Sequence, residues 1–416
     1  MSDLNLRNAT SKDVRMKGFR NRTTVPEALA WVDSKTTSLA PEVVDLSQLA
    51  GRILTEDIVS PLDIPGFDRA MMDGFAVIAE DSLGASMYNR LPLQVIGQSL
   101  PGNAFSNTVK RGEAVKIMTG APMPRGTDAV LPVEKVEVDN EQIFAQDAVS
   151  PGKHVGYRGE DIACGTTILS KGRQLRPQDV GVLASIGARV SVIRKPRVRI
   201  VVTGNELLPP GAVPTGSQIV DSNSPMLAAM IQRDGGLAIN PGIVADDPDA
   251  ILEALRDEAD VVLVSGGSSV GQEDYAPMLV AKHGELAIHG IAMRPSSPAG
   301  MGLLEKRLVF LLPGNPVACL CAYDFFAARA IRILSGLSTD WPYRSIRCPL
   351  RRKLVSKVGR VDYARVELIG EQIEPIAISG ASVLSSTTRA DGFVVIPSDS
   401  EGYPAETELD VYLYER

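Results

Sequence analysis

The sequence predicts a multidomain protein: a central α/β domain with a mainly parallel sheet and flanking helices, a small inserted β module, a helical and extended linker region, and a C-terminal β domain of barrel or sandwich type. Three observations lead there. Residues 261–265 form an apolar strand that runs into the glycine-rich turn Gly266-Gly-Ser-Ser-Val-Gly271, and residues 309–312 form a second strand that runs through Pro313-Gly-Asn-Pro316 into a long apolar helix. Strand and helix patterns alternate between residues 197 and 334, the signature of a parallel sheet covered by helices. Before and after that stretch, short apolar runs are broken by Gly, Pro and Asn every ten residues or so, as in small all-β modules.

The elements follow in chain order. Thr24 and Glu27 have capping-box spacing and open a helix through residues 28–32. A second short helix is expected over 46–54. Apolar runs at 93–96, 114–118 and 129–133 read as strands of the β module. Residues 165–172 read as a hairpin and 177–186 as a helix. Then come a strand at 198–202, helices at 224–233 and 248–258, strands at 261–265 and 308–312, and one long helix over 317–334. The last strands are expected at 347–354, 363–368, 392–396 and 408–414. The resulting division is a basic arm over 1–23, a discontinuous linker region over 24–60 and 150–180, a β module over 61–149, an α/β domain over 181–336 and a β domain over 337–416.

At 416 residues the chain is too long for one core. Its 43 basic and 50 acidic residues, a formal charge of -7, argue against broad nucleic-acid binding, which needs a basic face. No apolar run reaches membrane-spanning length, and the N-terminus lacks the apolar core of a secretory signal. The four cysteines (Cys164, Cys319, Cys321 and Cys348) have no zinc spacing and read as reduced structural thiols of a cytoplasmic protein. The three histidines form no ligand set. The basic residues before position 23 read as a solvated arm or a docking segment.

Chemistry is expected at the carboxyl ends of the α/β strands. Backbone N–H groups in turns there bind phosphorylated ligands. The turn at Gly266, Gly267 and Ser268 matches neither a Walker loop nor a dinucleotide fingerprint, so an ATP or NAD enzyme is not the first choice. Asn315 and Pro316 are a natural helix start and, at a strand end, also an anion site. Four acids follow strand ends in the same domain: Glu206, Asp221, Asp246 and Asp274. In a parallel sheet their loops converge on one edge. Carboxylates without Cys or His point to Mg²⁺ rather than zinc. Each alone has an ordinary use, since Asp221 and Asp246 sit where helix caps belong. In the β module, Asp73-Gly74 has turn chemistry, Thr119 offers a hydroxyl after a strand, and Asp161 lies in an acidic turn.

Taken together, "MDGFAV", "KIMTGAPMPRGTDAVLPVE", "GED", "TGNEL", "DSN", "SGGSSVG" with an Asp three residues on, and "LLPGNPV" occur in the order seen in molybdopterin molybdenumtransferases. The chain resembles that family over residues 24–400. The resemblance implies an elongated homodimer of four-domain chains and the last step of molybdenum cofactor synthesis: adenylylated molybdopterin and molybdate give molybdenum cofactor and AMP, with Mg²⁺. It implies catalytic roles for Asp73, Thr119, Asp161, Glu206, Asp246, Asp274, Arg294 and Arg365. Glu206, Asp246 and Asp274 would hold the metal. Thr203, Gly204, Ser222, Asn223, Gly266, Gly267, Ser268, Ser296, Ser297, Pro313, Gly314, Asn315 and Pro316 would hold the pterin ligand and oxyanion. Asp73, Thr119 and Asp161 would reach the cleft across the dimer. Partners implied are the molybdopterin adenylyltransferase and recipient molybdoenzymes, with no nucleic acid and no membrane. The chain departs from the family at Pro295-Ser-Ser-Pro298, where Pro-Gly-Lys-Pro is usual, at Gly290, at His154 and Gly156, and at Ala381, where a serine is expected and Ser382 is adjacent. The lost lysine motivates a second reading, a non-catalytic molybdopterin-binding scaffold. A nucleotide pyrophosphatase or amidase sharing only the α/β domain is opposed by "MDGFAV", "MTGAP" and the last β domain.

Overall fold

Residues 22–267, 274–377 and 380–414 are described by the computed structural model. They divide into two units, one of residues 22–42, 51–53 and 192–414, the other of Val43–Ala50 and Leu54–Ser191.

The first unit begins with α1 (Val25–Lys35). Thr24 Oγ1 accepts from the Glu27 N–H and the Glu27 carboxylate accepts from the Thr24 N–H, so the capping box forms as its spacing predicts. The α/β sheet follows. Its main strands are β1 (Arg197–Thr203), β2 (Leu237–Ile239), β3 (Val261–Ser265), β4 (Glu285–His289), β5 (Gly300–Leu304) and β6 (Arg307–Leu312), and a seventh short strand, Ile243–Val244, pairs parallel with the end of β1. The spatial order is β2-β1-β3-β6-β5-β4. The pairings β2-β1, β1-β3 and β3-β6 are parallel, while β6-β5 and β5-β4 are antiparallel. Val202 pairs with Ser265 and Ser265 with Leu312, so the carboxyl ends of β1, β3 and β6 stop at one level. That register makes the three following turns neighbours.

The antiparallel strands β4 and β5 escape sequence reading because β4 is short and lies between Gly284 and Gly290, and β5 is interrupted by Gly300 and Gly302. A Cβ at Gly302 would lie 2.1 Å from the Glu285 carbonyl oxygen. The glycine there serves close strand approach, and on sequence it reads as a break.

Helices cover the sheet: α2 (Asn223–Arg233), α3 (Pro248–Arg256), α4 (Tyr275–His283), α5 (Pro316–Ala322) and α6 (Ala328–Leu334). Asp247 caps α3 by accepting from the N–H groups of Asp249 and Ala250, with Pro248 as first helical residue. One helix was expected over 317–334. The run is helical throughout, from Pro316 to Leu334, with a π turn at Tyr323–Ala327 between α5 and α6. That turn sets Asp324, 2% exposed, inside the protein. There Asp324 accepts from Arg233 and Tyr343, beside Asp234, which accepts from Arg233, Arg332 and Tyr323.

The C-terminal sheet comprises β7 (Arg344–Pro349), β8 (Val361–Ile369), β9 (Gln372–Ala377), β10 (Gly392–Ile396) and β11 (Glu408–Leu413). Strand β9 lies outside the expected set. Met293 and Arg294 add to this sheet, parallel to Val361 and Asp362 of β8. A single apolar cluster continues from α1 and the π turn through Phe325 and Phe326 to Val361, Tyr363 and Phe393.

The second unit is built on a six-stranded sheet in the order Ala129–Pro132, Gly74–Val77, Glu113–Ile117, Leu91–Ser99, Gln142–Ala145, Val136–Asp139. The apolar runs predicted as strands are strands. Two expectations fail. Residues 46–54 form only a short 3-10 turn, Leu46–Gln48, because Gly51 takes a left-handed conformation at φ +80°. Residues 165–172 are no hairpin. Gly165 and Gly172 both lie in turns, leaving Thr167–Leu169, too few residues to fold back on themselves. Those residues pair antiparallel with Ile58–Val59 instead. The helix expected over 177–186 is present as Pro177–Ser185.

Candidate active site

A cavity of about 800 Å³ opens at the carboxyl ends of β1, β3 and β6. The loop after β1 contributes Thr203, Gly204 and Glu206; the start of α2 contributes Asp221, Ser222 and Asn223. Asp246, Gly266, Gly267 and Asp274 complete one wall, and Pro313, Gly314, Asn315 and Pro316 another. All four strand-end acids therefore meet at one cavity. Ser268 lies outside the described residues.

The four acids do different work. Asp221 is buried, accepts from the N–H groups of Asn223 and Ser224 and from the Ser224 hydroxyl, and so fastens the first turn of α2. Asp246 accepts from the Thr203 hydroxyl and from the Asn205 N–H at 3.2 Å, which ties it to the β1 loop. The α3 cap falls to the next residue, Asp247, and that leaves Asp246 for this task. Glu206 is exposed and Asp274 half-buried on the cavity wall. Among the described residues no three His, Cys, Asp or Glu side chains are grouped closely enough to hold a metal ion. Of the three acids expected to hold the metal, Asp246 is engaged by Thr203 and Asn205, while Glu206 and Asp274 line the cavity wall.

Glycine is required where β3 ends. Gly266 has φ +95°, and a Cβ there would lie 2.4 Å from the Thr203 carbonyl oxygen. Gly267 has φ +55°. These conformations bring backbone, without side chains, to the cavity floor. Gly266→Ala is expected to lose at least about 1–3 kcal/mol of stability, read by denaturant unfolding. An unchanged midpoint would show that the turn relaxes freely.

The basic and serine positions sit elsewhere. Arg294 donates through Nε and Nη2 to Asp362, which is fully buried and also accepts from Ser356 at 2.6 Å. Arg365 is fully buried, and burial lowers its pKa. Ser296, also fully buried, donates to the Ala318 carbonyl at 2.6 Å. Ser297 Oγ is buried with no hydrogen-bond partner among the described residues. None of these four lines the cavity; Pro298 does. Nor do the first N–H groups of α5 all face it, since those of Val317 and Ala318 donate to the Ala381 carbonyl at 2.9 and 3.4 Å. The same C-terminal segment brings Ser382 and Leu384 to the cavity, which sequence spacing does not reveal.

Asp73, Thr119 and Asp161 belong to the second unit. Asp73 is exposed and accepts from the Thr119 N–H at 2.7 Å and hydroxyl at 2.8 Å. Those bonds, the backbone one foremost, lower the Asp73 pKa and keep it ionised. The Asp161 N–H donates to the Ile64 carbonyl.

Comparison with known proteins decides the family. Residues 23–187 match the MoeA N-terminal region (domains I and II), residues 199–332 a probable molybdopterin-binding domain, and residues 347–414 the MoeA C-terminal region (domain IV). A molybdopterin molybdenumtransferase 2 of Mycobacterium tuberculosis is 34% identical over 387 residues, covering 89% of this chain and 95% of that one. The chain belongs to the MoeA family of molybdopterin molybdenumtransferases. A putative molybdopterin biosynthesis protein of Methanocaldococcus jannaschii is 33% identical over 381 residues, 89% of this chain and 91% of that one. The crystal structure of a MoeA protein of molybdopterin biosynthesis from Pyrococcus horikoshii superposes with a TM-score of 0.78 at 34% identity, over 95% of this chain and all of that one. Membership in the family places the protein in molybdenum cofactor biosynthesis and accounts for the molybdopterin-binding domain around the cavity.

Proposed function

We propose that the chain transfers molybdenum from molybdate to adenylylated molybdopterin and releases AMP, with Mg²⁺. The observation that carries this reading is one cavity in which two carboxylates, Glu206 and Asp274, face two backbone turns at the carboxyl ends of parallel strands. Turns of that kind receive phosphates, and the carboxylates suit a hard cation. Mg²⁺ is commonly held by one or two carboxylates with substrate phosphates filling the remaining positions. The cavity's other two acids, Asp221 and Asp246, are engaged by their own hydrogen bonds, and no Cys or His lines the cavity among the described residues. Bound there, Mg²⁺ would supply Lewis-acid polarisation of the phosphoryl group as the adenylate bond breaks. Gly266 and Gly267 let the phosphates approach the backbone. Thr203 and Asp246 hold the β1 loop so that Glu206 stays on the cavity wall. A second copy of the chain would contribute Asp73, Thr119 and Asp161, making the working form a homodimer. An adenylyltransferase would supply the substrate and molybdoenzymes would take the product. No helix among the described residues is long and apolar enough to cross a membrane.

The non-catalytic scaffold keeps one observation on its side. Arg294, Arg365, Ser296 and Ser297, the positions expected at the oxyanion, do not line the cavity. AMP release from adenylylated molybdopterin by the purified protein separates the two readings. Release that needs molybdate, stops with EDTA and returns with added Mg²⁺ is the expected result. Tight pterin binding without release would establish the scaffold.

A further inference from the structure

Asn223 is usually the kind of residue assigned to ligand contact, yet its side chain is already committed. It is 7% exposed. Its Nδ2 donates to Ser265 Oγ and to the Gly314 carbonyl, both at 2.8 Å. A carbonyl can only accept, so the amide nitrogen must face Gly314. Its Oδ1 is buried and has no hydrogen-bond partner among the described residues. One side chain at the start of α2 thereby ties the end of β3 to the turn after β6. The two turns are already close: a Cβ at Gly314 would lie 3.6 Å from Gly266 Cα.

The Gly314 carbonyl and the Asn315 N–H share one planar trans peptide and point in opposite directions. Glycine offers little resistance to rotation of that plane. We infer that Asn223 is a positioning residue that locks the Gly314–Asn315 peptide, holding the carbonyl on itself and leaving the Asn315 N–H on the opposite side for an anionic ligand of the cavity. Without the lock, the peptide can turn its carbonyl toward the phosphate or oxyanion, replacing attraction with repulsion. This inference rests on the reading that the cavity takes an adenylylated, anionic substrate.

The test combines crystal structures with AMP-release kinetics for wild type, Asn223→Ala, Ser265→Ala and Asn223→Ala with Gly314→Ala. Asn223→Ala is expected to show the Gly314 peptide reversed or in two orientations and to lose about 10- to 100-fold in kcat/KM, as misplaced active-site groups do. Ser265→Ala, which keeps the bond to Gly314, should stay within a few-fold of wild type. Adding Gly314→Ala should recover part of the loss. A methyl group has room there, and the residue is outside the left-handed region, so alanine narrows the choices of the peptide. A merely structural role would not be rescued this way. Should Asn223→Ala fail to fold, Asn223→Asp keeps the shape, loses both donors and carries the same expectations. An unchanged peptide with undiminished kcat/KM in either variant overturns the inference, as does an equal loss in Ser265→Ala. A wild type without AMP release sinks the functional reading alone, and the orientation of the peptide in Asn223→Ala still decides the lock.

Discussion

Asp274→Asn is expected to lower AMP release by about 10²–10³-fold while the unfolding midpoint stays within about 2 °C of wild type. The expected loss is electrostatic in origin. Asp274 stands on the wall of the cavity where β3 gives way to α4, half-buried, facing the turns that would receive the phosphates. Asp221 fastens α2 and Asp246 the β1 loop. Asp274 and Glu206 both line the cavity, and the proposed function gives both a cation-holding role. Asparagine preserves shape but removes the charge, and a metal's charge stabilisation of a phosphoryl transition state is worth several kcal/mol. The measurement is a kcat/KM for AMP release at saturating Mg²⁺, alongside thermal unfolding. A fully active, normally folded variant would defeat the carboxylate–metal mechanism. A variant that loses activity only with its fold would reassign Asp274 to stability.

The largest effect on stability is expected at Asp234. Its side chain is completely buried and accepts from Arg233 at 2.7 Å, Arg332 at 3.2 Å and Tyr323 at 3.1 Å. Asp324, a second buried carboxylate, shares Arg233 at 2.9 Å and accepts from Tyr343. Burial is the main influence on Asp324 and raises its pKa to about 6. Asp234→Ala removes one of the two anions that balance Arg233 and Arg332. Breaking a buried ion pair from one side costs about 3–5 kcal/mol, because the partner charge stays behind without compensation. Urea unfolding of Asp234→Ala should show a loss of that size in the transition of the first unit. Asp234→Asn should lose less, since it keeps one acceptor for Tyr323 or an arginine. A loss below about 1 kcal/mol would mean that water or a rearranged Asp324 compensates, and that the network is not a principal contributor to this core.

The network also shows what a sequence can and cannot convey. Arg233, Asp234, Asp324, Arg332 and Tyr343 are scattered over more than a hundred positions and have no common spacing. They meet because a π turn shifts the helix by one residue at Tyr323–Ala327. No local pattern in residues 317–334 announces that turn, and an uninterrupted helix was the natural expectation.

Much else was legible because its cause is local. The Thr24–Glu27 capping box, the helix start at Pro248, the apolar strand at 261–265 and the glycine turn after it each depend on neighbours a few residues away. Strand–helix alternation made the sheet mainly parallel, and a parallel sheet brings its strand ends to one edge. The cavity and the convergence of Glu206, Asp221, Asp246 and Asp274 were therefore determined by sequence. What each acid does there was not. Asp246 and Asp247 are adjacent and chemically identical. Only the folded chain sends one to Thr203 and the other to the N-terminus of α3. Likewise Arg294 meets Asp362 across 68 residues, and Ala381 reaches the N–H groups of Val317 and Ala318 from a turn beyond β9. These contacts are long-range hydrogen bonds and ion pairs. Their partners are selected by which buried polar groups the packing leaves needing one, and that need exists only once the tertiary structure has formed.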